Sequence, residues 1–173
     1  MPSDLNKMFY KYIYNTPAAF SDILLNSDGT YLTGVGFLGG RGINKHHLNC
    51  EEKILPIFEN TVEWLDIYFS GKDPDFTPEY RITELTPFRK DVIDLMLNIP
   101  FGETSTYGEI AKSIAGKYNM KKMSSRAVGG AVGWNPIGII IPCHRVVGAN
   151  GALTGYGGGM KNKIALLALE RKC

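Results

Sequence analysis

Cysteine is scarce: three in 173 residues, at positions 50, 143 and 173, with no Cys-x-x-Cys pair. So few, odd in number and far apart, they exclude a disulfide scaffold, and without paired spacing they exclude a zinc ribbon. No apolar run reaches the ~18 residues that a membrane-spanning helix needs. The start, Met1-Pro2-Ser3-Asp4-Leu5-Asn6-Lys7, has no basic end leading into an apolar stretch, so no signal peptide is expected. The expected location is intracellular, in the cytoplasm, with no membrane partner. What is present is ordinary for a globular chain, 44% hydrophobic and 21% charged residues. The length suits one domain or two small ones with a real core.

The net charge of +2 hides an uneven distribution. Residues 1–85 carry 7 basic and 12 acidic side chains, and residues 86–173 carry 12 basic and 5 acidic, or −5 against +7. Such a split arises by chance on one fold, or marks two modules of which the second meets a polyanion, nucleic acid being the commonest.

Hydropathy patterning divides the chain at the same place. Phe9 to Tyr14, Ala19 to Leu25 and Tyr31 to Phe37 read as strands of an antiparallel meander, with a Ser27-Asp28-Gly29 turn signal. Gly39-Gly40-Arg41-Gly42 reads as a loop. Ile54, Phe58, Val62, Leu65 and Phe69 fall at helical steps and predict a helix over 47–70, ended by Gly71. Lys72 to Leu85 reads as a linker. Beyond it, Thr86-Pro87 caps a helix, Thr106-x-x-Glu109 forms a capping box for a second, and Ser124 or Ser125 caps a third that runs to about Val132. Three short helices with a tight turn before the last suggest a helix-turn-helix. Ile139-Ile140-Ile141 reads as a short buried strand, Ala149-Asn150-Gly151 as a hairpin turn, and Lys161 to Glu170 as a closing helix.

The informative segment is Ile141-Pro142-Cys143-His144-Arg145-Val146. Cysteine is nucleophilic as the thiolate, which a nearby histidine and basic surroundings favour. A Cys-His pair by itself is weak, because most buried cysteines are inert. Taken with Asn135-Pro136 before it and Gly155-Tyr156-Gly157-Gly158 after it, the segment resembles the O6-alkylguanine-DNA alkyltransferase family, the methylated-DNA–protein-cysteine methyltransferases. The resemblance covers about residues 86–170. It includes Pro100-Phe101-Gly102-Glu103, Thr106-Tyr107, Arg126-Ala127-Val128-Gly129-Gly130-Ala131 and Leu166-Leu167 before Glu170.

The resemblance implies a two-domain α/β protein. Residues 1–80 would form a small antiparallel sheet with a helix, ribonuclease-H-like, and residues 86–173 a winged-helix-like helix-turn-helix domain. It implies direct repair of O6-alkylguanine, and more weakly O4-alkylthymine, in double-stranded DNA, with single turnover and no cofactor. Cys143 would accept the alkyl group, His144 act as base through a water, and Glu170 orient the histidine. Tyr107 would serve guanine N3, and Asn135 hold the turn before the cysteine. Arg126 would fill the gap left by a flipped base. Ala127, Gly129 and Gly130, with Ser125 and Thr106, would meet DNA in the minor groove. Val132, Tyr156, Gly157 and Gly158 would line the base pocket, with Lys163 near its rim.

Many relatives carry serine at position 157 and proline at 138; here both are glycine. The loss of a polar contact and an apolar wall implies a preference for methyl and small alkyl groups. His46, His47 and Cys50 lack a fourth partner nearby, so no metal is expected. Cys173 reads as a bystander and the protein as a monomer. Two other readings use the same residues. A cysteine hydrolase would need an oxyanion hole and would turn over repeatedly. A non-catalytic DNA-recognition module would not need Cys143.

Overall fold

The computed structural model describes residues 8–43 and 45–171, less the side chains of Lys45 and His46. The Met1–Lys7 start, Cys173 and the His46 side chain therefore lie outside the described residues. Strands β1 (Tyr10–Tyr14), β2 (Ile23–Ser27) and β3 (Leu32–Phe37) form the expected meander, with Tyr14 opposite Ile23 and Ile23 opposite Phe37. The sheet is not purely antiparallel. After β3 the chain passes through a short helix, α1 (Lys45–Leu48), and returns as β4 (Glu51–Glu52), parallel to β1. A parallel partner requires such a crossover, which a hairpin cannot supply. The result is a mixed sheet in the order β3-β2-β1-β4.

Helix α2 covers Pro56–Phe69, not 47–70. Proline cannot donate within a helix and clashes with the preceding turn, so Pro56 marks a start, at the first helical position. Ile54 is consequently exposed outside the helix, and the buried face is Ile57, Phe58, Thr61, Trp64, Leu65 and Tyr68. Gly71, at φ +89°, ends the helix as expected, its N–H donating to Tyr68 O.

The segment 72–85 is a packed strap. Its backbone grips β3 from both sides of Tyr80, Leu32 N donating to Glu79 O and Arg81 N to Leu32 O. Helices α3 (Pro87–Leu97), α4 (Tyr107–Lys117) and α5 (Ser125–Gly133) follow. Thr86 caps α3, Thr106 and Glu109 form the full capping box on α4, and Ser124 caps α5. A two-stranded parallel ladder, β5 (Ser105–Thr106) with β6 (Val146–Val147), ties the start of α4 to the segment after Cys143. Helix α6 (Met160–Arg171) closes the chain. Ala149–Gly151 is a 3-10 turn, not a hairpin between antiparallel strands. One apolar core runs from Tyr14 and Phe37 through Leu65 and Met96 to Ile141 and Leu166. Among the described residues, no helix is long and apolar enough to cross a membrane.

Ile139–Ile141 is a turn, not the expected strand. Its β-branched apolar run imitates a strand, but two constraints fold it. The Asn135 carboxamide accepts from Ile137 N at 3.0 Å and donates to Ile141 O at 2.9 Å. Beside it, Val35 of β3 brackets Ile137, Val35 N donating to Pro136 O and Gly138 N to Val35 O, both at 2.9 Å. Ile139 takes a positive φ of +67°, a costly conformation for a β-branched residue and one kept only where the surroundings over-determine it.

Position 138 explains its own glycine: a Cβ there would lie 2.9 Å from Val35 O, and proline could not donate the bond to Val35. Gly138→Ala is expected to cost about 1–3 kcal/mol through overpacking, seen as a fall in thermal midpoint of about 2–4 °C per kcal/mol. An unchanged midpoint in calorimetry contradicts this.

Candidate active site

The turn that Asn135 and β3 hold delivers Pro142 and then a single 3-10 turn, Cys143–Arg145. All three side chains are buried. Adjacent residues on so tight a turn point apart, and each meets a different environment.

Cys143 opens into a cavity of about 700 Å³ that Tyr107, Val132, Asn135, Tyr156 and Gly157 also line. Burial raises its thiol pKa, only partly opposed by hydrogen bonds with Asn135 and Tyr156 and by the charge of Lys163. Basic surroundings therefore do not make a standing thiolate here. The resting thiol is neutral, and would have to lose its proton to act as a nucleophile.

His144 is fully buried, with Nε2 2.7 Å from Glu170 Oε1. Burial holds its pKa below the usual histidine value, against the raising effect of Glu170. A carboxylate only accepts, so Nε2 carries the proton and Nδ1 the lone pair. Nδ1 is buried without a hydrogen-bond partner. A buried polar group normally has a partner, protein or water.

Glu170 is 2% exposed. Burial by itself would raise its pKa; hydrogen bonds from His144 and Arg145 outweigh this and bring the carboxyl down to about 2. Arg145, the basic residue two positions after Cys143, turns to the carboxylate, with Nε 3.0 Å from Oε2 and Nη2 3.0 Å from Oε1, while Nη1 donates to Ile99 O. Gly102 N donates to Oε2 at 3.2 Å. Sequence spacing placed Glu170 near a chain end; α6 carries it inward to the centre of the site.

Tyr107, the first residue of α4, lines the cavity with its pKa raised by burial. The Thr106 hydroxyl is engaged in capping α4. Ser125, Arg126, Ala127 and Gly130 are exposed along α5, with Gly129 beside the Tyr107 ring. Lys163, expected near the rim, is buried and does not line the cavity. Its Nζ is buried and donates to Val146 O at 2.7 Å and Thr154 O at 3.2 Å, anchoring the glycine-rich loop from behind. Among the described residues, no group of three or more His, Cys, Asp or Glu side chains is placed to hold a metal ion.

Sequence reasoning missed two contributions from the first half of the chain. The Gly39–Gly42 loop forms a cavity wall, Arg41 N donating to Gly157 O at 2.8 Å. Close approach requires glycine at 40, where a Cβ would lie 2.8 Å from Gly157 O. Tyr68, on α2, sends its hydroxyl to Glu170 Oε1 at 2.8 Å. Helical spacing marked α2 as a core element, and nothing in it marked one tyrosine as reaching the site.

A buried thiol next in sequence to a buried histidine–carboxylate pair, in a helical half with a basic excess, fits a cysteine-dependent transferase. Residues 87–172 match the sequence profile of the 6-O-methylguanine DNA methyltransferase, DNA binding domain. The methylated-DNA–protein-cysteine methyltransferase of Methanosarcina acetivorans is 42% identical over 95% of this chain and 99% of its own. That of Mycobacterium tuberculosis is 48% identical over 66% of each chain. The crystal structure of the M. tuberculosis O6-methylguanine methyltransferase superposes with a TM-score of 0.79 at 37% identity, over 95% of this chain and 94% of that one. The same protein in complex with DNA gives 0.76. The chain belongs to the methylated-DNA–protein-cysteine methyltransferase family.

The depressed Glu170 and His144 values carry a stability signature. The unfolded chain binds protons that the folded chain refuses, so stability falls with acidification. The histidine contribution is lost as pH falls below about 6.5. The Glu170 contribution is lost between the ordinary glutamate value and about 2. Urea titrations from pH 7 to 3 are expected to show this loss, and Glu170→Gln to start less stable but lose less below pH 4.5. Parallel profiles for the two proteins contradict the assignment.

Proposed function

We propose that this protein repairs O6-alkylguanine in double-stranded DNA, and more weakly O4-alkylthymine, by taking the alkyl group permanently onto Cys143. The observation that carries this reading is the state of His144: Nε2 engaged by Glu170, and Nδ1 buried with its lone pair unused by any protein group. The thiol proton passes to Nδ1 through a water. The sulfur lone pair forms the S–C bond as the C–O6 bond breaks, and the released electron pair is neutralised by the Tyr107 proton at guanine N3. Returned through the pocket, the thiol proton leaves guanine and a thioether as the net products. A thioether does not reverse readily, so each molecule acts once, without a cofactor. The extra carbon overpacks a tight site and destabilises the used protein.

The target atom lies inside the duplex, so the nucleotide is flipped into the cavity and Arg126 fills the gap. Helix α5 supports a minor-groove contact. Cβ atoms at Gly130 and Gly133 would meet nothing in the chain, so intramolecular packing does not require those glycines, which cost ~1 kcal/mol each relative to alanine. Close approach of a second backbone does. Ser125, Ala127 and Gly129 belong to that surface, with Thr106 at its edge. Tyr156 covers the base, Gly157 and Gly158 offer N–H groups to O6, and Lys163 keeps their loop in place. On this reading residues 1–80 form a supporting domain and 86–173 a winged-helix-like DNA domain. The protein acts as a cytoplasmic monomer with access to chromosomal DNA.

Cys143→Ala is the direct test. It should abolish removal of O6-methylguanine from a duplex while electrophoretic binding to that duplex survives. Intact repair sinks the reading. Alkyl size gives a second outcome. Methylguanine should react faster than benzylguanine, and Gly157→Ser should narrow the gap, since a Cβ at 157 has open space. Equal rates in the unmodified protein refute that preference.

A further inference from the structure

Tyr68 is a buried titratable group that the transfer chemistry does not use. It is fully buried, in an apolar core, on a helix of the first half of the chain. Its ring is fixed on every side: stacked on Trp64 with centroids 5.4 Å apart, and edge-on to Phe69 at 5.4 Å and Phe101 at 5.9 Å. That cage determines where the hydroxyl points. It donates to Glu170 Oε1 at 2.8 Å, the same oxygen that receives His144 Nε2 at 2.7 Å, and lies 3.4 Å from Nε2 itself. Core packing needs only the ring; phenylalanine would fill the space and spare the desolvation of a hydroxyl.

We propose that Tyr68 is a positioning residue through which the first half of the chain sets the strength of the base: by sharing Glu170 Oε1 it limits how strongly the carboxylate stabilises a protonated His144. The inference rests on the transfer reading above. A carboxylate that gives part of its charge to a hydroxyl donor is a weaker partner for an imidazolium. With the donor gone, Oε1 serves His144 more fully and the histidine holds its proton more tightly. Other charged and titratable groups around the pair are Arg145, bonded to both carboxylate oxygens, Lys163 on α6, and Cys143 and Tyr156 on the pocket side. Tyr68→Phe leaves all of them in place.

The test is Tyr68→Phe in the full chain, with two readouts against the unmodified protein. Single-turnover transfer from O6-methylguanine duplex is followed across pH. Histidine ring nitrogens are titrated by 15N NMR, which is tractable with only three histidines in the chain. The acidic limb of the rate profile should move to higher pH by roughly half to one unit, the scale of one hydrogen bond to a charged group. The His144 titration should move by the same amount. The rate loss should be concentrated at acidic pH and fade towards alkaline pH. A uniform loss at every pH, or an unmoved titration, overturns the inference and leaves Tyr68 a packing residue. If the unmodified protein transfers nothing, the transfer reading fails, while the NMR titration still decides whether Tyr68 tunes His144.

Discussion

One buried carboxylate organises this molecule. Glu170 accepts from His144, Arg145, Tyr68 and the Gly102 backbone, groups that come from the Cys143–Arg145 turn, from α2 and from the loop after α3. A buried charge is expensive unless its lone pairs are filled, and removing one partner of such a set usually costs several kcal/mol. Here they are filled by groups that must be brought from three places in the chain. The requirement to satisfy Glu170 therefore doubles as a requirement to assemble the site. It also settles the histidine: with Nε2 committed to a carboxylate, the lone pair sits on Nδ1.

The sheet has a matching role. β3 pairs with the strap at Tyr80 and with the turn before Cys143 at Ile137, so its outer edge is covered by the segments it positions. That pairing, the Asn135 carboxamide and the positive φ of Ile139 hold one turn against its own strand-forming composition. The first half of the chain is thus more than a neighbour. It supplies the edge that shapes the turn, the Gly40 loop that walls the cavity, and the Tyr68 hydroxyl.

The local signals in the sequence were reliable where chemistry acts over a few residues. Thr86-Pro87, the Thr106–Glu109 box, Ser124 and Gly71 all mark helix ends as observed. The cysteine motif identified the family, because its members lie in order along one stretch of chain. Reasoning failed where distant partners decide. Ile139–Ile141 has strand composition, but β3, a hundred residues earlier, bends it. Helical periodicity ran through Pro56 because apolar spacing says nothing about a missing N–H. Lys163, expected near the pocket rim, is buried because folding places three backbone carbonyls around its ammonium. Tyr68 and Arg41 were invisible for the same reason: their partners lie a hundred residues away.

The central claim is that the neutral, buried thiol of Cys143 is a one-use acceptor driven by the His144–Glu170 pair. Intact-mass spectrometry after incubation with excess duplex carrying one O6-methylguanine tests it most directly. The account predicts a gain of one methyl group per chain, located by peptide mapping at Cys143, with no further repair afterwards. An unchanged mass while methylguanine disappears, or a methyl on any other residue, contradicts it.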